Sequence, residues 1–408
     1  MTTHDPKKQL EDLRDHLARH DRPLSFLFGA GTSSSVNVAP APAPGQKATH
    51  EPLIPAVAKL TEICERSTRE KGDEYGKAWD AVVRECEATV TKPNIEDILS
   101  KTRQKIDAIG PDDVLLGLNA GKLMAFEKTI CETIAEVASP DPNSIPEKLP
   151  HDAFASWLKH ATRTNAVEIF TTNYDLLLEI ALEGSRIPIF DGFIGAHQPL
   201  FVPECLERKE LLPSKSWVRL WKIHGSINWQ RAKRRGSQQI IRTQPVSTGE
   251  MILPSHRKYD ESRKQPYVSL LNRLGKILDQ EDSLLITCGF SFSDEHINSV
   301  ILTSLEGSLR SHVISLQFGE LSEASPIVKY ALQRKNLLVL ARNGAVIRSE
   351  WAFWKLLQPV DNASSAFMDV AFDSKAAVDS ADDGLEGGMR LGDFNRFCRF
   401  LLTMTPQP

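Results

Sequence analysis

Four short polar segments carry the residue types that could do chemistry. His224 follows a predicted strand and precedes Gly225 and Ser226, and Trp221 and Trp229 lie on either side of it. Histidine is the one side chain whose ordinary pKa allows it to take up and release protons near neutral pH. A single histidine is more often structural than catalytic, so the interpretation of His224 depends on the other three segments.

The second segment is a glycine-rich turn near the N-terminus. A short apolar run leads directly into Gly29, Ala30, Gly31, Thr32 and Ser33. A strand followed by such a turn is how open α/β sheets bring backbone N–H groups close to a phosphate, and glycine permits the approach because it has no Cβ. The complete GxGxxG pattern is absent, so a simple tight turn is the alternative interpretation.

The remaining two segments also follow predicted strands. One strand, at 167–170, leads to Asn173 and Asp175. Another, at 283–289, leads to a segment whose candidate ligand-binding residues are Gly289, Ser291, Asp294 and His296. Because the carboxyl ends of the strands in an open α/β sheet form its ligand crevice, we expect all four segments to line one nucleotide-binding site.

Strands and helices alternate along most of the chain. Apolar runs bounded by turn residues predict buried strands at 24–28, 167–170, 218–223, 283–289, 312–318 and 337–341. Amphipathic spacing predicts helices at 6–20, 176–183 and 266–280, and a further helix that follows the polar segment 290–298 and extends to about 307. This alternation predicts an α/β, Rossmann-like fold with a mainly parallel sheet and helices on both faces.

A long helical region interrupts this alternation after the first strand. Helical periodicity is present at 53–67, 73–90, 94–107, 111–138 and 151–163. We therefore expect a helical insertion at about 53–163 within a nucleotide-binding domain that spans 1–360. The alanine–proline segment 38–45 precedes it, and proline excludes both helix and central strand there. That segment is either a lid over a ligand or a disordered insertion.

The C-terminal part of the chain has a different character. Residues 361–390 contain much Ser, Ala, Asp and Gly and are predicted to be a linker. Residues 391–408 are predicted to contain a helix that carries Phe394, Phe397 and Phe400. These aromatic side chains need a surface that buries them, and this surface belongs either to the same domain or to another subunit. The helix is thus a possible assembly element.

Composition bounds the class of protein. The chain has 408 residues, of which 41% are hydrophobic and 25% charged, as in ordinary globular proteins. A formal net charge of −4 argues against generic nucleic-acid binding, and the basic run 231–235 is predicted to be a solvated hairpin tip. No sequence-specific nucleic-acid binding is expected.

The cysteines and the N-terminus indicate a cytoplasmic protein. The six cysteines form no CxxC pair, which makes a tetracysteine zinc site improbable and suits free thiols in a reducing cytosol. The N-terminal residues are charged and lack the apolar region of a signal peptide. No run of 18 apolar residues occurs, so no membrane span is expected.

The four polar segments together resemble the sirtuin-like (silent information regulator type) NAD-binding superfamily. The resemblance covers about residues 22–345 and rests on GAGTS (29–33), TTNYD (171–175), KIHGS (222–226) and CGFSFSDEHIN (288–298). The sequence is similar to the bacterial branch that is often found in anti-phage defence. In particular it is similar to NADase subunits that are encoded beside a HerA-type ATPase.

The resemblance implies a role for each segment. The turn from Gly29 to Ser33 would line the pyrophosphate and ribose of NAD, which is a substrate here. Asn173 and Asp175 would hold the nicotinamide ribose and a water, and His224 would be the general base that acts on the ribose hydroxyls. Ser291, with the other candidates of its segment, would approach the phosphate or adenosine end. Trp229 is either a core residue or a wall near the ribose.

Two departures from the deacetylating sirtuins decide between activities. Those enzymes follow GAG with a glycine and an Ile-Pro-Asp-Phe-Arg segment, where this chain has Ser34 and Ser35, and they carry paired CxxC zinc ligands that are absent here. The resemblance therefore implies NAD hydrolysis to nicotinamide and ADP-ribose, without zinc. The alternatives are a non-catalytic NAD or ADP-ribose sensor or scaffold and an NAD-dependent protein deacylase.

The resemblance also implies partners. We expect a homo-oligomer that could assemble with a HerA-type hexameric ATPase, and no association with a membrane. A Rossmann dehydrogenase is disfavoured, because GxGxxG is missing and no acidic ribose ligand follows about 20 residues later.

Overall fold

A computed structural model of the chain describes residues 3–41, 49–234, 236–245, 251, 265–357, 360–374 and 385–405. Several sequence predictions fall partly outside these residues, including the linker predicted at 361–390, of which 375–384 lie outside, and the tail 391–408, of which 406–408 lie outside. The alanine–proline segment 38–45 is described only as far as Ala41, and the basic run 231–235 as far as Arg234. The short apolar run at 251–254 also predicts the end of a strand, and of these residues only Met251 is described.

The strands form one large sheet and two small ones. In chain order they are β1 (Thr3–His4), β2 (Leu24–Phe28), β3 (Val114–Leu115), β4 (Leu118–Asn119), β5 (Glu168–Thr171), β6 (Ile189–Phe190), β7 (Phe193–Ile194), β8 (Leu200–Phe201), β9 (Val218–Lys222), β10 (Trp229–Arg234), β11 (Ser237–Arg242), β12 (Leu284–Cys288), β13 (His312–Leu316), β14 (Leu337–Leu340), β15 (Gly344–Ile347), β16 (Glu350–Leu356), β17 (Phe372–Ser374) and β18 (Leu385–Met389).

The helices cover this framework. In chain order they are α1 (Pro6–Ala18), α2 (Ala30–Ser34), α3 (Val57–Glu70), α4 (Asp73–Glu87), α5 (Ile95–Ala108), α6 (Ala120–Ala138), α7 (Pro150–His160), α8 (Leu177–Gly184), α9 (Glu204–Glu207), α10 (Tyr267–Leu278), α11 (Glu295–Gly307), α12 (Pro326–Leu332), α13 (Asn362–Ala371) and α14 (Phe394–Leu402). Short 3₁₀ turns lie at Pro142–Ser144 and Lys209–Leu211.

The large sheet has the order β17-β18-β16-β15-β14-β13-β12-β2-β5-β9-β6, and β1 pairs with β16. All pairs from β14 to β6 in this order are parallel, whereas β15 to β18 extend one edge by antiparallel pairing. The register places Leu284 of β12 beside both Leu24 and His312. The prediction of an α/β fold with a mainly parallel sheet is confirmed.

Both faces of the sheet are buried. Phe26 and Phe28 of β2 point into one apolar cluster with α1, α7, α8, α13 and α14, while Leu27 points into another with α10, α11 and α12. Strands that are covered on both faces need continuous apolar runs, and all five residues of β2 are buried. This is why the strands at the centre of the sheet were predictable from local sequence.

Helices α3, α4, α5 and α6 share a third apolar cluster around Trp79 and Phe126. The helix predicted at 111–138 begins only at α6, because Leu116 and Gly117 adopt positive φ angles of 56° and 78° and turn the preceding residues into the hairpin β3–β4. The helix predicted at 151–163 is α7. It packs on the sheet rather than on α3–α6, since Phe154 and Trp157 lie in the cluster with Phe26.

The described residues of the predicted linker at 361–390, namely 361–374 and 385–390, contain regular secondary structure. Residues 362–371 form α13, and β17 and β18 add strands to the sheet edge. The reason is a small apolar set within the polar sequence, since Phe367, Met368 and Phe372 are buried. The predicted tail helix is α14, and its three phenylalanines are buried against this same chain, with α7 as the main contact.

No helix of the described residues is long and apolar enough to span a membrane.

The remaining strands, β7, β8, β10 and β11, form a small antiparallel sheet beside the large one. Arg231 and Lys233 are exposed in β10, and the hairpin turns at Gly236, as expected of a solvated hairpin.

Candidate functional site

The four polar segments meet because their strands are neighbours. The order β12-β2-β5-β9 places the carboxyl ends of these strands side by side. A cavity of about 230 Å³ opens there. The predicted site residues that line it are Gly29, Ala30, Ser33, Asn173, Asp175, His224, Gly289, Ser291 and Asp294. Gly31, Thr32 and His296 lie next to these residues in sequence but do not line the cavity.

The two glycine turns at the ends of β2 and β12 are packed directly on each other. The backbone N–H groups of Gly29 and Gly31 donate to the carbonyl oxygens of Cys288 and Gly289, each over 3.1 Å. A Cβ on Gly29 would lie 2.4 Å from the Gly289 oxygen, and a Cβ on Gly289 would lie 2.7 Å from the Thr32 nitrogen. Gly289 also has a φ of +68°. These glycines are therefore required by the contact between the turns, whatever else the turns bind.

Asn173 fixes the turn at the end of β2. Its Nδ2 donates to the Gly29 carbonyl (3.1 Å), to Thr32 Oγ1 (2.9 Å) and to Ser33 Oγ (2.7 Å). Because the Gly29 oxygen can only accept, this contact sets the orientation of the amide. The nitrogen is thereby engaged, and Oδ1 remains the atom of this side chain without a donor among the described residues.

Asp175 is tied to the same turn and to the helix that follows it. One carboxylate oxygen accepts from Ser33 Oγ (2.5 Å), and the other accepts from the Leu177 N–H at the start of α8 (3.0 Å). Its backbone oxygen accepts from the buried Lys222 ammonium, which also lies 3.0 Å from Glu179. Burial raises the pKa of Glu179, and Lys222 opposes this shift. Asp175 thus holds Ser33 and α8 in place at the edge of the cavity.

His224 is paired with Asp294 at the wall of the cavity. His224 Nε2 lies 3.2 Å from one carboxylate oxygen of Asp294. The other oxygen caps α11, accepting from the N–H groups of His296 (3.0 Å) and Ile297 (3.2 Å). The turn after His224 uses Gly225, whose φ is +85°. An imidazole held by a buried carboxylate can accept a proton, because the carboxylate stabilises the imidazolium that forms.

Residues 167–340 match the family model of a SIR2-like domain. No curated protein matches the chain. The matched range runs from β5 to β14, so it contains Asn173, Asp175, His224 and Asp294, while the glycine turn after β2 precedes it. SIR2-like domains bind NAD as a substrate, and the match therefore supports a sirtuin-like family and an activity that involves NAD.

The segment after β12 shapes the far side of the cavity. Ser291 and Ser293 are exposed, and their hydroxyl oxygens lie 2.8 Å apart. Between them Phe292 is buried with a φ of +57°, and its carbonyl accepts from Asn298 Nδ2 (2.7 Å). The first turn of α11 therefore holds a strained backbone segment that presents two hydroxyls at the cavity.

A second wall of the cavity comes from outside the range of the SIR2-like match. Residues before α3 and on α3, α5 and α6 line it with apolar side chains, namely Ile54, Pro55, Val57, Leu60, Ile95, Ile134, Val137 and Ala138. Sequence reasoning missed this wall, because helical periodicity shows which face of a helix is apolar but not what that face meets.

Four polar or charged residues at the cavity were also missed. They are Glu96, Thr172, Tyr174 and Ser293. Three of them adjoin predicted site residues, which is the signal that could have found them. Glu96 had only the predicted start of a helix near Asn94 as a marker.

Trp229 does not line the cavity, although a position near the ribose was one prediction. Its ring is buried 5.0 Å from that of Phe193 and 6.2 Å from that of Phe201. Trp221 is also buried, and its indole N–H donates to Glu168 over 2.7 Å. Among the described residues, no group of three or more His, Cys, Asp or Glu side chains could hold a metal ion. The expectation that the site uses no zinc stays a prediction.

Proposed function

We propose that this chain is an NAD glycohydrolase that cleaves NAD to nicotinamide and ADP-ribose. The observation that carries the proposal is the pairing of His224 with Asp294 over 3.2 Å, in a cavity that Asn173 also lines. The SIR2-like match over residues 167–340 supports NAD as the substrate. The departures of the sequence from the deacetylating sirtuins favour water as the acceptor.

The leaving group of this reaction needs no protonation, because it is already a cationic pyridinium. The bond between ribose C1′ and the pyridinium nitrogen breaks, and its electron pair stays on that nitrogen, which gives neutral nicotinamide. The oxygen of a water molecule then bonds to C1′, and the water loses a proton. The site must hold the ribose and stabilise the positive charge that develops on it during the first step.

The residues of the cavity suit these tasks in different ways. Asn173 Oδ1 can accept a hydrogen bond from a ribose hydroxyl or from the attacking water, since Nδ2 is engaged with Gly29, Thr32 and Ser33. His224 accepts the proton from the ribose or the water. Asp294 holds the imidazole and balances its charge, which makes Asp294 a positioning residue in this mechanism.

The test is an assay for nicotinamide release by the full-length chain incubated with NAD, with and without a HerA-type partner ATPase. We expect His224→Ala and Asn173→Ala each to lower the rate by about 10²-fold or more, the scale of a lost general base or positioned polar group. His197→Ala is the matched control, because His197 is exposed and does not line the cavity.

Three outcomes contradict parts of the proposal. Release that depends on an acylated peptide indicates a deacylase, whereas NAD binding without turnover under all conditions indicates a sensor or scaffold. Activity that survives in both His224→Ala and Asn173→Ala removes the roles assigned to these residues. Melting temperatures of the variants distinguish a chemical defect from loss of the fold.

We further propose that the chain acts as the NAD-depleting effector of a bacterial anti-phage defence system. The support is the resemblance of its four motifs to that branch of the superfamily. Unregulated hydrolysis of NAD would kill the cell, so we expect a homo-oligomer or a complex with a HerA-type hexameric ATPase to control it. Native mass measurement of the chain alone and after co-expression with such an ATPase tests this.

A further inference from the structure

Glu96 brings an unpaired carboxylate to the cavity from outside the SIR2-like range. It lies in the first turn of α5, is half-buried and lines the cavity together with His224 and Asp294. Its backbone N–H donates to Asn94 Oδ1 (2.7 Å), but no donor among the described residues reaches its carboxylate. The described residues therefore give the Glu96 carboxylate no hydrogen-bond or ion-pair partner, and its place in the first turn of α5 leaves it only the favourable interaction with the helix dipole.

The backbone that carries Glu96 is held firmly. Asn94 and Asp97 form a capping box, in which the Asp97 carboxylate accepts from the Asn94 N–H over 2.9 Å. The Ile95 N–H donates to Thr61 Oγ1 on α3 (2.9 Å), and the Ile95 side chain is buried. Because the helix start is fixed by its neighbours, the backbone position from which the Glu96 side chain extends is set before any ligand binds.

The carboxylates that line the cavity are not matched by lysine or arginine side chains among its described lining residues. Its ionisable lining residues are Glu96, Asp175, Asp294, His224 and Tyr174, and no described lining residue is Lys or Arg. Asp175 is engaged with Ser33 and α8, and Asp294 with His224 and α11. Glu96 is the carboxylate of this set that no described side chain pairs with, and the apolar side chains of Val57, Leu60 and Ile95, which line the same cavity, reduce screening within it.

We propose that Glu96 is a specificity-determining residue that selects the oxidised, cationic form of the nicotinamide ring. This inference rests on the proposed function. NAD⁺ and NADH share the adenosine, the ribose groups and the pyrophosphate, and differ in the positive charge on the ring. An unpaired carboxylate at the cavity attracts the cation and gains nothing from the neutral ring. The reduced dinucleotide, which has no pyridinium leaving group, is thereby kept from occupying the site.

The test compares binding of the two dinucleotides to the full-length chain by isothermal titration calorimetry. His224→Ala serves as the background for NAD⁺, so that the ligand is not consumed during titration, and NADH is titrated into the same proteins. We expect Glu96→Gln to weaken NAD⁺ binding by about tenfold and to change NADH binding by less than about twofold. Glu96→Asp keeps the charge and should keep the preference for NAD⁺.

Glu136→Gln is the matched control, since Glu136 lies on α6 but is exposed and does not line the cavity. It should change neither affinity. An equal loss of NAD⁺ and NADH binding in Glu96→Gln, or no loss of either, overturns the role of Glu96 while NAD remains a ligand. Absence of binding of both dinucleotides to the unmutated chain overturns the proposed function, and this inference with it.

Discussion

At the scale of single residues, Asp294 serves two structures at once. One carboxylate oxygen contacts His224, and the other caps α11 through two backbone N–H groups. The sequence predicted Asp294 as a residue of the ligand site. It could not predict the contact with His224, because the two residues follow different strands and only the order of the sheet brings them together. Asn173 is similar, since its position was predicted but not the engagement of its Nδ2 with Gly29 and Ser33.

These two tasks of Asp294 can be separated by substitution. Asn caps helices as well as Asp does, so Asp294→Asn should keep α11 and remove the negative charge beside His224. We expect kcat for nicotinamide release to fall by about 10²-fold while the unfolding free energy changes by less than about 1 kcal/mol. Steady-state kinetics and urea denaturation measure the two effects.

Asp294→Ala provides the comparison, because it removes the charge and the cap together. It should lose the same activity and, in addition, about 1 kcal/mol of stability. If Asp294→Asn retained full activity, the carboxylate would have no part in positioning or charging His224.

At the scale of elements, strands formed by long apolar runs could be predicted from the sequence, whereas short strands and a helix of polar composition could not. β2 and β12 were predicted because each consists of five consecutive buried residues. The hairpin β3–β4 has two-residue strands, which are too short to show a period of two. In α13 the composition is dominated by Ser, Ala and Asp, so the few residues that bury it were hidden from a compositional argument.

The aromatic tail helix α14 is an element of this chain's own core. Phe397 is fully buried in it, beside Phe26 at a ring distance of 6.3 Å. We expect Phe397→Ala to lower the unfolding free energy by about 3–5 kcal/mol, as for other buried aromatic side chains. Equilibrium unfolding in urea measures this, and native mass spectrometry of the folded fraction should find the oligomeric state unchanged.

The control for this substitution is Phe353→Ala on β16, where the side chain is 54% exposed. A change within about 0.5 kcal/mol is expected there. A Phe397→Ala variant that keeps its stability but loses its assembly would show that α14 serves another subunit instead.

At the scale of the whole molecule, the sheet is enclosed between two helical layers. The layer that contains α1, α7 and α8 also contains a buried histidine. His151 of α7 is almost inaccessible, and no described residue forms a hydrogen bond with its Nδ1. Burial lowers the pKa of His151 to about 4 from the usual 6.5, opposed by the charge of Asp175. The sequence predicted both layers of the fold. It gave no sign that helices α3, α5 and α6 would close the site, since contacts between distant elements depend on topology.

This histidine makes the stability of the fold depend on pH. Between about pH 6.5 and pH 4 it is protonated in the unfolded chain and neutral in the folded one, so protons favour unfolding. Above about pH 6.5 the protonation of His151 in the unfolded chain costs the folded state no stability. The free energy of unfolding then decreases as the pH falls from about 6.5 to about 4. We expect the melting temperature of His151→Leu to drop less between pH 7 and pH 5 than that of the unmutated protein.

Two other histidines act in the same direction and leave a residual pH dependence in that variant. Burial, together with the charge of Arg22, lowers the pKa of His16 and of His312. Parallel pH profiles for His151→Leu and the unmutated chain would exclude His151 as a source of acid sensitivity.

The contact between the two glycine turns has a genetic consequence. Gly29 and Gly289 exclude a side chain through the same interface, so a first Cβ that forces the turns apart makes room for a second. The costs of Gly29→Ala and Gly289→Ala should then be less than additive in a double-mutant cycle followed by urea denaturation. Substitutions in the two turns would then be coupled, because a substitution in either turn changes which substitutions the other turn tolerates.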